Sequence, residues 1–237
     1  MRRVDLKSLR QQNTSLTKIV TETRNALDPA ENSELIQTKV TQGLKQLHEM
    51  LIAPIANDLP KNPEERVIFI PHESLFFVPF AALQDKNDKY LIEKHTIVSA
   101  PAIQILELTH RQSKRNQGVV KDILVVGNPT MPTLKVGDEI KQLGVPGAIA
   151  LAPSGNDNGF LTSTEIIDLQ LNAQLIVLSA CQTGRGDITG DGVICLSRSL
   201  LTSGAASTVV SLWDAPDDKT KPLMITFYKN LQKDGDK

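Results

Sequence analysis

Leu178-Ser-Ala-Cys-Gln-Thr-Gly184 is the stretch of sequence that decides the fold. The apolar run Leu175–Leu178 leads into it, and the small residues that follow precede a cysteine and a glycine-containing loop. This order is typical of a buried parallel strand that ends at the rim of an α/β sheet, where open sheets of this class bind their ligands. The sequence therefore predicts that Cys181 lies at the carboxyl end of a parallel strand.

Cys181 is the candidate nucleophile of a site at this rim. Gly184 and Gly186 follow it closely, and glycines allow backbone amides to approach a substrate carbonyl, as an oxyanion hole requires. The alternative is a buried structural cysteine, which is the commoner fate of this residue type. The glycine loop favours the nucleophile, because a core cysteine needs no such loop beside it. Cys195, in an apolar context, is predicted to be a packed small side chain in a helix.

A cysteine nucleophile ordinarily needs a base, and the sequence supplies none near Cys181. No histidine occurs between Arg111 and Lys237. Without a base or a cation beside it, a thiol keeps a pKa of about 8.5 and is only a few per cent thiolate at neutral pH. We expect every histidine of the chain to lie beyond direct hydrogen-bond distance of Cys181. These histidines are His48, His72, His95 and His110.

Two other motifs indicate different chemistry less well. The loop 184–190 follows a strand as a dinucleotide-binding loop would, but its glycine spacing differs and Asp187 would repel a pyrophosphate. Asp214, Asp217 and Asp218 suggest a cation site, yet they lack a glycine-centred ligand loop with a terminal glutamate. A solvated loop is the better interpretation, and we predict neither a metal nor a cofactor.

The composition bounds the class of protein. With 237 residues, of which 40% are hydrophobic, the chain can bury the core of one α/β domain or of one domain with a helical extension. Its 26 basic and 27 acidic residues give a net charge of −1, which predicts no nucleic-acid partner and no membrane partner. The sequence shows no signal-peptide core, and two cysteines are too few for a disulfide framework. We therefore expect a cytoplasmic protein.

The first part of the chain predicts a helical lead-in and a hairpin. Residues 1–32 are polar with weak periodicity, which predicts a partly ordered N-terminal segment. From Ser33 onward, apolar residues recur at steps of three or four, which predicts a helix with one apolar face and a bend at Pro54. Arg66–Ile70 and Leu75–Phe80 are both rich in strand-forming residues and are predicted to pair as a hairpin.

The second half of the chain alternates strand and helix. Strands are predicted at Ile123–Val126, Ala148–Ala152 and Thr208–Leu212, in addition to the strand before Cys181. The sequence Thr162-Ser-Thr-Glu165 is a capping box, which predicts that a helix begins there. This alternation predicts an α/β fold with a mainly parallel sheet flanked by helices.

Five ordered blocks of sequence resemble the CHAT domain, and together they cover roughly residues 33–233. The blocks are Ile68–Leu83 with Leu91–His95, Val125–Pro129, Leu178–Gly184, Gly192–Arg198 and Gly204–Trp213. CHAT domains are caspase-like α/β modules, related to caspases and separases. The resemblance therefore implies a caspase-like cysteine peptidase fold, with Cys181 in the position of the dyad cysteine.

The resemblance also implies partners. CHAT domains often follow tetratricopeptide arrays in bacterial proteins, so a protein or peptide substrate or partner is expected, and a tetratricopeptide-type partner among them. No tetratricopeptide repeat is visible in this sequence, and we expect the domain without that array.

The chain departs from the family where the dyad histidine belongs. The family carries a helix, a strand and a His-Gly turn before the cysteine strand, but this chain offers only residues 133–144 between Pro132 and Val145. We predict an internal loss near residues 137–138, within a CHAT-like domain of residues 33–237. Loss of a strand is expected to leave an unpaired edge on the Ala148–Ala152 strand or on the strand before Cys181.

Two functions follow from these observations. The first is a cysteine endopeptidase of the caspase-like type that is catalytically impaired, because no histidine stands in the dyad position. The second is a non-catalytic module, a pseudoenzyme that keeps the caspase-like fold for protein interaction or signalling.

Overall fold

Helices form most of the first part of the chain, and short strands alternate with helices in the remainder. The structure, a computed structural model, describes residues 16–27, 34–115, 123–127, 133–136, 139–142, 148–150, 159–179, 187–189, 192–194, 196–213 and 216–234. The α-helices in these residues are α1 (Leu16–Leu27), α2 (Glu34–Leu51), α3 (Ile103–Arg115), α4 (Ser163–Asp168), α5 (Leu196–Thr202) and α6 (Asp217–Asp234). The strands are β1 (Arg66–Phe69), β2 (Thr96–Ser99), β3 (Ile123–Gly127), β4 (Thr133–Val136), β5 (Glu139–Gln142), β6 (Ala148–Ala150), β7 (Phe160–Thr162), β8 (Leu175–Ser179), β9 (Asp187–Thr189), β10 (Gly192–Ile194) and β11 (Thr208–Val209).

The helical lead-in consists of α1 and α2, which pack against each other. Ile19 and Val20 of α1 and Leu44 and Leu47 of α2 are buried in the same cluster. The buried positions of α2 recur at the three- and four-residue steps that place side chains on one face of a helix. Part of the polar N-terminal segment is thus an ordered helix that contributes to a core, although the boundary at residue 32 stays a prediction.

The predicted bend near Pro54 takes the form of a change in helix type. The α-helix ends at Leu51, and a 3₁₀ helix, Ala53–Asp58, follows with Pro54 near its start. Proline has no N–H group to donate and its ring crowds the preceding turn, so an α-helix does not continue past it without cost.

The predicted hairpin of Arg66–Ile70 with Leu75–Phe80 is wrong. β1 pairs in parallel with β2 instead, and the second half of the predicted hairpin contains the 3₁₀ helices Glu73–Phe77 and Phe80–Ala82. Pro79 separates these two helices. Because proline lacks an N–H group and fixes φ, this segment is a poor ladder partner despite its apolar composition.

The strand before Cys181, β8, is the middle strand of a three-stranded parallel sheet with the order β11-β8-β3. Ile176 lies opposite Leu124 of β3 on one side and opposite Thr208 of β11 on the other. Parallel neighbours require crossover connections, and helices of the chain occur between these strands in sequence. The α/β fold class with parallel sheets flanked by helices is confirmed, and it is consistent with a caspase-like fold.

The capping box at Thr162 is confirmed. The Glu165 carboxylate accepts a hydrogen bond from the Thr162 backbone N–H at 2.7 Å, and the Glu165 N–H donates to the Thr162 hydroxyl oxygen at 3.3 Å. These bonds satisfy amide groups that the first turn of a helix leaves without a partner. They start α4 in a position where Ile166 is buried with Leu200 of α5 against β8.

Three antiparallel pairs accompany the parallel sheets: β4 with β5, β6 with β7, and β9 with β10. Val136 lies opposite Glu139, so residues 137–138 connect the two strands of the first pair. β8 is paired on both sides, and the expectation of an unpaired edge on this strand is therefore wrong. β6 has one partner, β7, within the part of the chain that the structure describes.

Gly43 of α2 lies against Thr23 of α1, and this close contact generates a prediction. A Cβ atom at this position would overlap the Thr23 side chain, mainly its hydroxyl oxygen. Helix propensity alone would make Gly43→Ala stabilising by about 1 kcal/mol. Because overpacking typically costs about 1–3 kcal/mol, we expect the substitution to be neutral or destabilising instead.

The measurement is the free energy of unfolding in urea. Thr23→Ala removes the hydroxyl and methyl groups that the new Cβ meets, so the double variant Thr23→Ala/Gly43→Ala should show a favourable coupling energy relative to the two single variants. A Gly43→Ala variant that is about 1 kcal/mol more stable than the wild type would show that the helices do not pack in this way.

Candidate functional site

The middle of β8, the strand that precedes Cys181 in the sequence, is buried. Ile176, Val177 and Leu178 are all less than 4% exposed. Ile176 and Leu178, two residues apart on one face of the strand, pack with Ile166 and Leu200 of the flanking helices. The side chains of this run therefore hold β8 in place against the flanking helices.

Hydrogen bonds anchor the start of β8. The Ile176 N–H donates to the Ser207 carbonyl oxygen at 3.0 Å, and the Ser207 hydroxyl donates to the Gln174 carbonyl oxygen at 2.7 Å. The Ala206 N–H donates to the Ala173 carbonyl oxygen at 3.0 Å. The amino end of β8 is thus tied to the segment before β11, and the strand is held at both its start and its flanks.

The candidate site residues themselves, Cys181, Gly184 and Gly186, lie outside the described residues, as does Cys195. The assignment of a nucleophile and an oxyanion loop therefore stays a prediction. The strand that leads to the loop has the parallel, central position that the sequence predicted. The loop is followed by the β9–β10 pair, and β10 contacts the 3₁₀ helix Glu73–Phe77.

The histidines are distributed over the first part of the structure. His48 lies on α2 and His110 lies on the exposed side of α3. α3 approaches the sheet from its amino end, because Gln112 donates from its side-chain amide to the Leu201 carbonyl oxygen at 3.1 Å. Since Cys181 follows the opposite, carboxyl end of β8, this placement supports the prediction that His110 does not contact it.

His72 and His95 flank the 3₁₀ segments. His72 precedes the 3₁₀ helix Glu73–Phe77, and its side chain is 77% exposed, with Nδ1 3.8 Å from a Glu73 carboxylate oxygen. The helix that follows it contacts β10, one of the two paired strands that come after Cys181 in the sequence. The Nδ1 atom of His95 is buried and has no hydrogen-bond partner among the described residues.

Asp85 organises a polar cluster that the sequence analysis did not identify. Its carboxylate accepts hydrogen bonds from the N–H groups of Asn87 and Lys89, at 2.8 and 3.0 Å, and from the Lys94 ammonium group. The hydrogen bond from Lys94, followed by the bond from the Lys89 N–H, holds the pKa of Asp85 well below its usual range. The turn-forming sequence 85–89, Asp-Lys-Asn-Asp-Lys, is the signal from which this turn could have been found.

This cluster also acts on His48. Burial lowers the pKa of His48, the nearby Asp85 carboxylate opposes that shift, and the Lys94 ammonium group lowers the pKa further. His48 is therefore held neutral in the fold at pH values where an exposed histidine becomes protonated. The cluster has a structural role, since it fixes a turn beside α2.

No group of three or more metal-binding side chains occurs within the described ranges. The same ranges contain no helix with the length and apolar character needed to cross a membrane.

The lowered pKa of His48 predicts a loss of stability in mild acid. A histidine in the unfolded chain has a pKa of about 6.5, so below that pH the unfolded state binds more protons than the folded state and the free energy of unfolding decreases. We expect His48→Gln to lose less stability than the wild type between pH 7.5 and pH 5.0. Carboxylates, whose ordinary pKa values are about 4, remain ionised throughout this range.

The measurement is urea unfolding of both proteins at several pH values in the range. His72→Gln is the matched control, because it makes the same change at a side chain that is 77% exposed. Parallel pH profiles of His48→Gln and the wild type would contradict the prediction.

Two kinds of similarity to known proteins accompany this geometry. The CHAT domain family profile matches residues 41–147 and again residues 144–237, so the two matches together cover most of the chain. Tetratricopeptide repeat protein 28 of Mus musculus is 22% identical over 284 residues, which cover 79% of this chain and 12% of the mouse protein. Tetratricopeptide repeat protein 28 of Homo sapiens is 41% identical over 71 residues, covering 30% of this chain and 3% of the human protein.

The chain thus spans only a small fraction of the length of these relatives. The mouse alignment is also longer than the chain: 79% of 237 residues is about 187, so roughly 97 of the 284 aligned positions have no counterpart in this sequence. The family similarity thus falls into two parts that meet at residues 144–147, and the alignment to the mouse protein contains many positions that this chain lacks.

Proposed function

Because this chain belongs to the CHAT domain family, we propose that it is a caspase-like domain of the cysteine endopeptidase type whose Cys181 site is catalytically impaired. The observation that carries the proposal is the sequence between Arg111 and Lys237, which contains Cys181 in the family's cysteine block and contains no histidine. Acyl transfer by a thiol requires a base to form the thiolate and an acid to protonate the leaving amine.

The position of β8 supports the part of this proposal that makes Cys181 the nucleophile. Cys181 follows a central, buried parallel strand by two residues, and the carboxyl ends of such strands are where α/β sheets bind their ligands. Gly184 and Gly186 are proposed to bring backbone N–H groups close to a substrate carbonyl.

The positions of the histidines support the part of the proposal that the site is catalytically impaired. His48 and His95 belong to the lead-in and its 3₁₀ segments, and His110 lies on a helix held at the amino end of the sheet. His72 remains the alternative base to test, because its helix contacts β10.

We further propose that the chain lacks an internal segment near residues 137–138. The roughly 97 unmatched positions in the mouse alignment and the two family matches, which meet at residues 144–147, support a missing segment in this part of the chain without fixing its position. The β4–β5 pair offers a physical account of how the chain closes, because residues 137–138 connect two strands that pair from Val136–Glu139 to Thr133–Gln142.

The first prediction concerns turnover. We expect no peptide cleavage that depends on Cys181 between pH 6 and pH 9, because general acid–base catalysis contributes roughly 10²–10⁴-fold and the members of a catalytic unit act non-additively. The measurement is cleavage of a peptide library by the wild type and by Cys181→Ala, with circular dichroism to establish that both are folded.

Cleavage near pH 7 that disappears in Cys181→Ala would contradict this proposal. His72→Gln and His110→Gln then separate the explanations. Loss of activity in the first variant alone would identify His72 as the base, and unchanged activity in both would indicate another group.

The second candidate function is a non-catalytic protein-interaction module, and one observation favours it. Ile68 of β1 and Val98 of β2 are opposite each other in the ladder, and they are 43% and 37% exposed. Parallel sheets are normally covered on both faces, so an apolar pair open to solvent on one face is typical of a surface that another protein covers. The named relatives are tetratricopeptide repeat proteins, a class associated with protein interaction, which agrees with this candidate.

Thiol labelling distinguishes an assembled site from a site that has been lost. We expect a thiol-reactive peptide probe to modify Cys181 faster than Cys195, at a rate that rises with pH toward about 8.5 without a plateau near neutrality. Cys195→Ala and Cys181→Ala isolate each thiol in turn, and peptide mapping after labelling gives the two rates.

Each outcome of the labelling experiment is informative. Equal and slow labelling of both cysteines would remove the nucleophile from the proposal and favour the interaction module. A rate plateau at pH 6–7 would mean that a cation or base lowers the pKa of the Cys181 thiol, which the impaired site excludes.

A further inference from the structure

A polar pocket opens at the amino end of the central sheet, and neither the family match nor the proposed function assigns it a role. Its volume is about 360 Å³, within the range of small-molecule sites in proteins. Three segments form its walls: the second half of α3, residues 170–172 before β8, and residues 202–204 after α5.

Hydrogen bonds between these segments make the pocket a preformed feature. The Leu171 N–H donates to the Ser203 carbonyl oxygen at 2.7 Å, which joins two of the walls. The side-chain amide of Gln112 donates to the Leu201 carbonyl oxygen at 3.1 Å, which joins α3 to the end of α5. Gly204 has φ of 125° and lies so close to the Leu171 carbonyl that no Cβ would fit, which closes the approach further.

The charge of the lining is positive. Arg111 and Arg115 lie four residues apart on α3 and both line the pocket, whereas no aspartate or glutamate does among the lining residues. Arg115 donates from Nη2 to the Asn172 side-chain oxygen at 2.8 Å, so its guanidinium group is oriented by the opposite wall. Arg111 donates from Nε to a Glu107 carboxylate oxygen at 2.7 Å, and Glu107 lies outside the lining.

The remaining lining residues are hydrogen-bonding side chains together with Leu108, Leu171 and Gly204. Gln112 is only 6% exposed, and its side-chain oxygen has no hydrogen-bond partner among the described residues. That oxygen is itself buried, so the polar groups that a ligand would contact are those of the more exposed lining residues. The other polar side chains of the lining are those of Asn172, Gln170, Thr202 and Ser203. The Thr202 and Ser203 hydroxyls donate to the carbonyl oxygens of Arg198 and Leu200, so toward a ligand they act as acceptors.

From this combination we propose that the pocket binds a small phosphomonoester that carries hydroxyl groups, of the size of a sugar phosphate. The two guanidinium groups match a phosphate, because arginine presents paired N–H donors in the geometry of its oxygens. The amide and hydroxyl side chains match the hydroxyl groups of the carrier. The volume accommodates such a molecule and limits a larger one.

This site is separate from the proposed thiol site. The pocket segments lead into the amino ends of β8, β11 and β3, whereas Cys181 follows the carboxyl end of β8. A five-residue strand extends about 16 Å, so the pocket and the proposed thiol site belong to opposite ends of the strands. Failure of one proposal therefore leaves the other intact.

The experiment is calorimetric titration of the full chain with glucose 6-phosphate, with glucose and inorganic phosphate as separate arms. We expect saturable binding of glucose 6-phosphate, weaker binding of inorganic phosphate, and no binding of glucose. Arg115→Gln should weaken the affinity at least tenfold, and Arg111→Gln should weaken it to a smaller extent because that side chain also pairs with Glu107.

Lys114→Gln is the matched control, since it removes one positive charge from the same helix at a residue that does not line the pocket. Equal weakening by Lys114→Gln and Arg115→Gln would overturn the proposal, because it would indicate nonspecific attraction. Absence of saturable binding to the wild type would also overturn it. Tighter binding of a phosphoserine peptide than of glucose 6-phosphate would overturn the assignment to a small molecule. Thermal unfolding of each variant shows that the fold is retained.

Discussion

The pairing of β8 on both sides is the constraint on which the C-terminal part of the structure depends. β3 pairs with all of β8, and β11 pairs with Ile176 and Val177 on the other side, so the backbone of these two residues is satisfied without water and can be buried. Ile176 and Leu178 then direct one face of the strand at α4 and α5. Burial of these apolar side chains stabilises the fold only because the ladder has removed the cost of burying their backbone.

The same constraint gives the sheet two chemically different ends, one at the amino ends of its strands and one at their carboxyl ends. At the amino end of the sheet, three connecting segments converge and are joined by hydrogen bonds, such as the one from the Leu171 N–H to the Ser203 carbonyl oxygen. At the carboxyl end of the sheet, β8 ends at Ser179, and Cys181 follows two residues later in the sequence. Because all three strands are parallel, the connections that enter the strands lie at one end of the sheet and those that leave them lie at the other. This arrangement allows two independent sites on one small scaffold.

The sequence predicted those features that depend on local pattern. The apolar run of β8, the capping box at Thr162 and the change of helix type near Pro54 each follow from residues within a few positions of one another. The partner of β1 could not be predicted in this way, since its choice of β2 is a long-range pairing and the apolar segment after it forms 3₁₀ turns around Pro79. The polar pocket was equally inaccessible, because Gln112 and Leu201, which join its walls, are 89 positions apart. Of the candidate site, the sequence predicted the strand that leads to it, while Cys181 and its glycines stay a prediction.

Position and reactivity of a thiol have different physical origins in this fold. Position comes from the strand and its helices, which are complete around β8. Reactivity comes from a base or a cation held within a few ångströms, and in this family that group belongs to a separate segment of chain. The proposed loss of an internal segment would therefore remove the chemistry and leave the packing of β8 unchanged, because β8 makes its ladder with β3 and β11 alone in the described structure. For that reason a caspase-like fold is a poor guide to peptidase activity unless its base is also found.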